Sequence, residues 1–282
     1  MSRSRLLPPL LTRANSLQLL GGQRRVSLDL GLTTVMVDVV GSMFVFPGGV
    51  SVSRDDVEEI ADRDNAVFFA SPEGVFQVAL SDSHYYKLVP TGGAPTLEID
   101  GIRMHRTKGT SPEVDAGVKL RVLDVRGGLV LDTCSGLGYT AAEAVRRGAE
   151  AVVSVERSHQ VARIAVMNPW SRSLFSCDRV HYVLGDSFDL TGALPGGVFD
   201  YVVHDPPRLS LAGELYGSEF YGMLFRVLKP GGGLYHYTGE PGGRYRGRDL
   251  PRGVAGRLRA AGFSGLRYIP EALGVVAVKG DG

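Results

Sequence analysis

Residues 204–208 read His-Asp-Pro-Pro-Arg and directly follow an apolar stretch at 199–203. Asp205, Pro206 and Pro207 are residue types that can do chemistry at a strand end. Each proline has a fixed φ and pushes the residue before it into an extended conformation, so the Pro206 carbonyl is held beside the Asp205 carboxylate. Two rigid acceptors side by side suit a group with two N–H bonds, such as the exocyclic amine of a nucleobase. That nitrogen is planar and a poor nucleophile, because its lone pair is conjugated with the ring. Drawing both N–H groups onto acceptors turns it towards tetrahedral geometry and frees the lone pair to attack an electrophile. Preorganised acceptors and a short approach distance supply the rate. The same residues could simply stop a strand and start a turn, so their neighbours decide.

Three further apolar runs end in polar residues. GLVLDTCSGLGYT, at 128–140, closes a strand at Asp132 and turns tightly through Gly136 and Gly138 into a helix beginning near Thr140. VVSVER places Glu156 at the end of a second strand, 18 residues after Gly138, where an acid can grip ribose hydroxyls. VLGDSF ends a third strand at Asp186, with Ser187 and Phe188 offering a polar edge and an aromatic face for adenine. The expected cofactor contacts are Asp132, Thr133, Cys134, Ser135, Gly136, Gly138, Tyr139, Thr140, Glu156, Arg157, Asp186, Ser187 and Phe188. Cys134 stands where a dinucleotide fingerprint has its first glycine, and no Lys-Ser/Thr pair follows as in a phosphate-binding P-loop. Hydride-transfer and nucleoside-triphosphate chemistry are therefore disfavoured.

The elements that must position these residues change in texture along the chain. Residues 25–106 run in short segments of period two, separated by Gly, Pro, Asp and Asn, as expected for a small antiparallel β domain with a brief helix at 55–61. From Ser111, which is placed to cap a helix with Pro112 at its first position, apolar strands alternate with amphipathic helices. That alternation predicts an α/β, doubly wound, mainly parallel sheet, and the last two strands, with no helix between them, predict an antiparallel edge hairpin. The expected domains are 1–108, β-rich and devoted to substrate recognition, and 109–282, which carries the chemistry.

Composition narrows the class. The chain has 282 residues, 44% hydrophobic, with no apolar run long enough to span a membrane. The N-terminal segment, interrupted by prolines, does not read as a signal peptide. Two cysteines, Cys134 and Cys177, have neither CxxC spacing nor a His/Cys cluster, so no disulfide framework and no metal site are expected and a cytoplasmic location fits. Net charge is only +1, yet just five of the 31 basic residues are lysines and six arginines fall between Arg244 and Arg259. A GC-rich genome or thermal adaptation accounts for an arginine bias; the local cluster suits RNA phosphates.

At this point the sequence resembles the class I S-adenosylmethionine-dependent methyltransferases over roughly 111–282. DTCSGLG corresponds to the cofactor loop, SVE to the ribose acid, LGD to the adenine corner and HDPP to the D/N-P-P-x catalytic loop of amino-methyltransferases. DTCSGLGYTA together with HDPPRLSLAGELY resembles a family of predicted archaeal methyltransferases. The resemblance implies a seven-stranded Rossmann-like methyltransferase sheet behind a smaller β-rich N-terminal domain, S-adenosylmethionine as cofactor, and Asp205, Pro206 and Pro207 as catalytic residues. It implies RNA as partner, ribosomal before transfer RNA, with N4 of cytidine as the methylated atom; N6 of adenosine or N2 of guanosine in transfer RNA is the alternative. Arg208 stands where many amino-methylating enzymes carry an aromatic residue, so either its guanidinium or Tyr237 is expected to stack on the base. His105, Arg244, Arg246 and Arg248 complete the expected substrate contacts. Tyr216, Phe220 and Tyr221 fit core positions better, as do His204 and His236 behind their strands. Two other classes stay open: a polyamine aminopropyltransferase, which uses the same sheet behind a β-rich domain, and a non-catalytic RNA-binding module.

Overall fold

The computed structural model describes residues 7–209, 211–239 and 250–280. Arg244, Arg246 and Arg248 therefore lie outside the described residues. Two compact units are present: Met1–Pro112 with Arg163–Arg172, and Glu113–Ala162 with Ser173–Gly282. The first unit thus reaches slightly beyond the expected boundary and takes in a segment of the later sequence. Trp170 shows how that segment is held, its indole N–H donating to the Leu30 carbonyl at 3.0 Å.

The first unit is built from short antiparallel sheets. Ile102–Arg103, Thr96–Ile99, Tyr85–Val89 and Ala79–Ser81 form one of four strands, and Leu10–Leu11, Phe68–Ser71 and Gly74–Gln77 form one of three. The expected brief helix spans Arg54–Ala61, capped by the Ser53 hydroxyl. A second helix, Arg13–Leu20, has no clear apolar periodicity to announce it; Thr12 and Asn15 cap it reciprocally.

The second unit contains the doubly wound sheet. Its strands are β1 (Leu129–Asp132), β2 (Ala151–Glu156), β3 (Val180–Leu184), β4 (Phe199–His204), β5 (Leu228–Tyr237), β6 (Phe263–Ile269) and β7 (Gly274–Lys279), in the order β3-β2-β1-β4-β5-β7-β6. β1 to β5 are parallel, whereas β7 runs antiparallel to both β5 and β6, giving the expected edge hairpin. Successive residues of a strand face opposite sides, and here both sides are covered. Leu131, Val202 and Leu234 pack in one apolar core, and Val130, Val203 and Tyr235 in the other. The helices concerned with the site are α1 (Pro112–Val122), α2 (Tyr139–Arg146), α3 (Ser187–Ala193), α4 (Ser218–Val227) and α5 (Leu250–Ala260).

Strand order reverses between β1 and β4, the place where open α/β sheets leave a crevice at their carboxyl ends. Asp132 of β1 stands in register with Val203 of β4. The cofactor loop and the Asp205 loop therefore leave the sheet side by side.

Candidate active site

Asp132 is 1% exposed, and its Oδ2 accepts hydrogen bonds from the hydroxyls of Thr140 (2.9 Å) and Ser154 (2.8 Å). Its Oδ1 and the Ser135 hydroxyl lie buried with no hydrogen-bond partner among the described residues. Buried polar atoms nearly always find partners, so two unsatisfied ones in a single loop make it a candidate ligand site. The chain passes them in a left-handed turn, with φ of 53° at Gly136 and 77° at Gly138. At Gly138 a Cβ would also come within 3.0 Å of Leu174. Tyr139 and Thr140 follow at once as the buried first residues of α2. Thr133 anchors the loop from the other side, its amide donating to the Val203 carbonyl at 3.1 Å and its carbonyl accepting from the Ser187 hydroxyl.

Glu156 ends β2, as its position predicts, but it also props the glycine turn. Oε2 accepts from the Gly136 amide at 2.9 Å and Oε1 from the Ser158 amide at 2.8 Å. Asp186 caps α3 through the Phe188 amide at 2.7 Å. Arg157 reaches across to it, Nε lying 3.3 Å from Asp186 and Nη1 3.2 Å from Glu214, with 69% of the side chain exposed. Arg157 thus braces the acids of this corner. Phe188 stacks on Phe220 with ring centroids 5.9 Å apart. The Cys134 thiol is pushed up by burial, so it is not poised as a nucleophile.

Burial lifts the Asp132 carboxyl to about 6 and that of Glu156 to about 7, from ordinary values of 3.8 and 4.5. Between each ordinary value and its raised value the folded chain holds more protons than the unfolded one, so stability falls as pH rises through that window. The expected result is that the cofactor-free wild type loses melting temperature between pH 4 and pH 7 more steeply than Asp132→Asn, which removes one of the two titrations. Parallel pH profiles for the two proteins would contradict this assignment.

Asp205, 23% exposed at its side chain, follows β4 directly. Its Oδ2 lies 2.5 Å from Nζ of Lys119, which stands 2.7 Å from Asp115 on the same helix, α1. Burial by itself would lower the pKa of Lys119, but Asp205 and Asp115 outweigh it and hold the ammonium above the ordinary lysine value. Lys119 also sits 5.1 Å from the centroid of the half-buried Tyr237 ring. Pro206 is buried, and among the described residues no hydrogen bond reaches its carbonyl; the next carbonyl, of Pro207, accepts from the Tyr216 hydroxyl at 2.9 Å. The chain then emerges, and Arg208 is exposed, with no ion pair to a described residue.

Behind this loop the expected packing residues occupy the core. His204 is fully buried, its pKa pushed down to about 3 by burial, donating through Nε2 to the Leu215 carbonyl at 2.9 Å and meeting the Thr133 hydroxyl through Nδ1 at 2.7 Å. His236 is likewise buried and neutral, against the Tyr221 hydroxyl at 2.8 Å. Phe220 and Tyr221 are buried, which leaves Tyr237 and Arg208 as the candidates beside Asp205. His105 belongs to the first unit, where its Nδ1 lies 3.0 Å from the Thr96 hydroxyl.

Sequence patterning missed Lys119 and Asp115. An i,i+4 acid–lysine pair on a helix is usually a solvated one of small consequence. Only the packing of α1 against the sheet takes it out of water. Lys119→Met is expected to remove the ammonium that Asp115 and Asp205 share and to cost about 3 kcal/mol of folding stability, in the range for breaking a buried pair. Denaturant melts of the two proteins check this, and equal midpoints would make the pair a surface one.

Over 259 residues the chain is 48% identical to the uncharacterized protein MJ1233 of Methanocaldococcus jannaschii, a match covering 90% of this chain and 88% of that one. The chain belongs to the family of that archaeal protein. Residues 116–212, from α1 to just past the Asp205 loop, match the family described as Conserved hypothetical protein 95. Polyamine aminopropyltransferase 2 of Streptomyces coelicolor is 34% identical over 146 residues, 49% of this chain and 26% of that protein, so the chain spans about a quarter of it. Among solved structures, a spermidine synthase in complex with the transition state analogue AdoDATO superposes with a TM-score of 0.59 at 18% identity, covering 72% of this chain and 73% of that one. That likeness shows the fold: an α/β, Rossmann-like sheet of the kind shared by spermidine synthases and S-adenosylmethionine-dependent methyltransferases.

Proposed function

We propose that this protein is an S-adenosylmethionine-dependent N-methyltransferase acting on the exocyclic amine of a nucleobase in RNA. The observation that carries the proposal is the adjacent Asp205 and Pro206 acceptors, with Lys119 bonded to one oxygen of the carboxylate and the other left open among the described residues. S-adenosylmethionine, when bound, supplies an electrophilic methyl group on its sulfonium. Asp132, Ser135 and the glycine turn would hold its amino-acid end, Glu156 its ribose hydroxyls, and Asp186 with Phe188 its adenine.

The chain's own part in the chemistry lies at 205–208. Oδ1 of Asp205 has no hydrogen bond among the described residues, and the adjacent Pro206 carbonyl is also unoccupied by them, so both can take N–H groups of one amine. Lys119 and the Tyr216 bond to Pro207 keep the two acceptors from moving. The transfer leaves a surplus proton on the nitrogen, and it departs towards the Asp205 carboxylate. N4 of cytidine in ribosomal RNA is the acceptor that the family resemblance favours; N6 of adenosine and N2 of guanosine present the same two N–H groups.

A second reading, aminopropyl transfer from decarboxylated S-adenosylmethionine to a polyamine, draws support from relatives with a named activity. Those of Streptomyces coelicolor and Mycobacterium tuberculosis are polyamine aminopropyltransferases, and they speak for it more directly than any relative speaks for RNA. The Asp115–Lys119–Asp205 cluster holds two carboxylates and one ammonium, so its charge does not turn a cationic amine away. What favours the base amine is the pair of adjacent acceptors at Asp205 and Pro206, which suits a planar nitrogen with two N–H groups.

Incubating the purified chain with methyl-labelled S-adenosylmethionine and RNA from cells lacking the gene, and in parallel with aminopropyl-labelled decarboxylated cofactor and putrescine or spermidine, separates the two. Label on an exocyclic base amine is the expected result. Label in a 5-methyl or 2′-O-methyl nucleoside, or in the polyamine alone, would overturn the proposal.

A further inference from the structure

Away from the Asp205 loop, α5 and the edge strand β6 enclose an open groove of ≈ 340 Å³. Three arginines line it, Arg252 and Arg259 from α5 and Arg267 from β6, together with Tyr268, and among the described residues no carboxylate does. Arg259 and Arg267 are exposed and form no ion pair with a described residue. Several exposed arginines elsewhere in this unit are matched, Arg121 with Glu271, Arg126 with Asp124 and Arg157 with Asp186 and Glu214, whereas Arg208 beside the Asp205 loop is not matched by a described residue. Arg252 and Arg259 are seven residues apart, two helical turns along one face, which sets their Cα atoms ~10.5 Å apart on the helix axis. Arg267 stands on the adjoining strand, and the half-buried Tyr268 adds a ring.

We infer that this groove binds the phosphodiester backbone of single-stranded RNA. The choice of RNA as occupant rests on the proposed function above. Guanidinium groups spaced along an open channel pair with successive phosphates, and an aromatic ring within the same channel gives a base a face to stack on. Pro251, Ala255, Leu266 and Val275 form the floor between the arginines, and an acidic protein would be met by the same charges; the regular spacing of the guanidinium groups beside an aromatic ring matches a phosphate chain with bases. A membrane surface calls for a convex or flat basic face with apolar residues beside it, whereas these arginines line a recess.

Fluorescence anisotropy of a 20-nucleotide single-stranded RNA of mixed sequence, titrated with the purified chain without cofactor over a range of salt, tests the inference. In the triple variant Arg252→Gln, Arg259→Gln, Arg267→Gln, affinity at low salt is expected to fall at least tenfold. The slope of log K against log salt is expected to flatten by about 2, at ~0.7 for each lost phosphate contact on a single strand. Ala255→Glu, which sets a carboxylate into the groove and leaves every arginine in place, is expected to weaken binding in the same direction. Unchanged affinity and slope in both variants would overturn the inference, as would arginine-dependent binding to phosphatidylglycerol vesicles with none to RNA. The proposed function is separable from it. Groove-dependent RNA binding without methyl transfer would sink only the enzyme reading, and methyl transfer to RNA by a triple variant that binds with the wild-type slope would sink only the groove.

Discussion

Asp205→Ala is expected to reduce methyl transfer by at least 10²- to 10³-fold, the usual cost of removing one preorganised group from a reacting centre, while affinity for S-adenosylmethionine stays within a few fold. The carboxylate acts on the acceptor amine, whereas the proposed cofactor contacts lie on β1, β2 and α3. The fold should survive the change, because Lys119 keeps Asp115 at 2.7 Å. Asp205→Asn offers a sharper comparison. It retains one oxygen acceptor but loses the charge and turns a donor towards either Lys119 or the amine, so activity should fall nearly as far. Single-turnover transfer with calorimetry of cofactor binding reads both quantities. Full activity in Asp205→Ala would make 205–208 a plain turn.

Glu156→Ala is expected to weaken binding of S-adenosylmethionine and of its demethylated product by tenfold to more than a hundredfold. Loss of a charge-assisted hydrogen bond costs about 1.5–3 kcal/mol, and each 1.4 kcal/mol is a factor of ten in affinity. Two effects add here. The ribose hydroxyls lose their acceptor, and the amides of Gly136 and Ser158, 2.9 and 2.8 Å from the carboxylate, lose theirs, which loosens the glycine turn. Glu156→Gln separates them, since an amide oxygen can still hold one backbone N–H but cannot accept from both sides. Affinity between those of wild type and Glu156→Ala is expected. Calorimetry showing wild-type affinity in Glu156→Ala would remove the ribose assignment.

The two variants probe opposite lips of one crevice, and their separation follows from the topology. Glu156 ends β2 and Asp205 follows β4, the two strands that flank β1, and the chain leaves the sheet in a different loop from each. Binding and transfer can therefore be damaged independently.

Much of this arrangement is local information. A strand end followed by glycines, or by two prolines, is a statement about backbone dihedrals made within a few residues. Asp132, Glu156, Asp186 and Asp205 could accordingly be placed at strand ends from their neighbours in the chain. The alternation of strand and helix patterns after Ser111 led to the doubly wound sheet, and the missing helix before the last strand led to the antiparallel hairpin of β6 and β7. His204 and His236 behave as their positions suggest, neutral and bonded inside the core.

Other features have no local signature. Arg13–Leu20 is a helix whose polar and apolar residues do not segregate to two faces, so capping and packing decide it. The segment Arg163–Arg172 joins the first unit although its neighbours in sequence belong to the second. The Asp115–Lys119–Asp205 chain is the most consequential of these. A lysine four residues after an aspartate describes thousands of solvated helix faces, and 86 residues separate Lys119 from Asp205. The sequence by itself determined which groups end the strands, because dihedral restriction and apolar periodicity are properties of neighbouring residues. Only the tertiary structure decided that the carboxylate of Asp205 is shared with a buried ammonium, because burial and charge pairing are properties of distance in space.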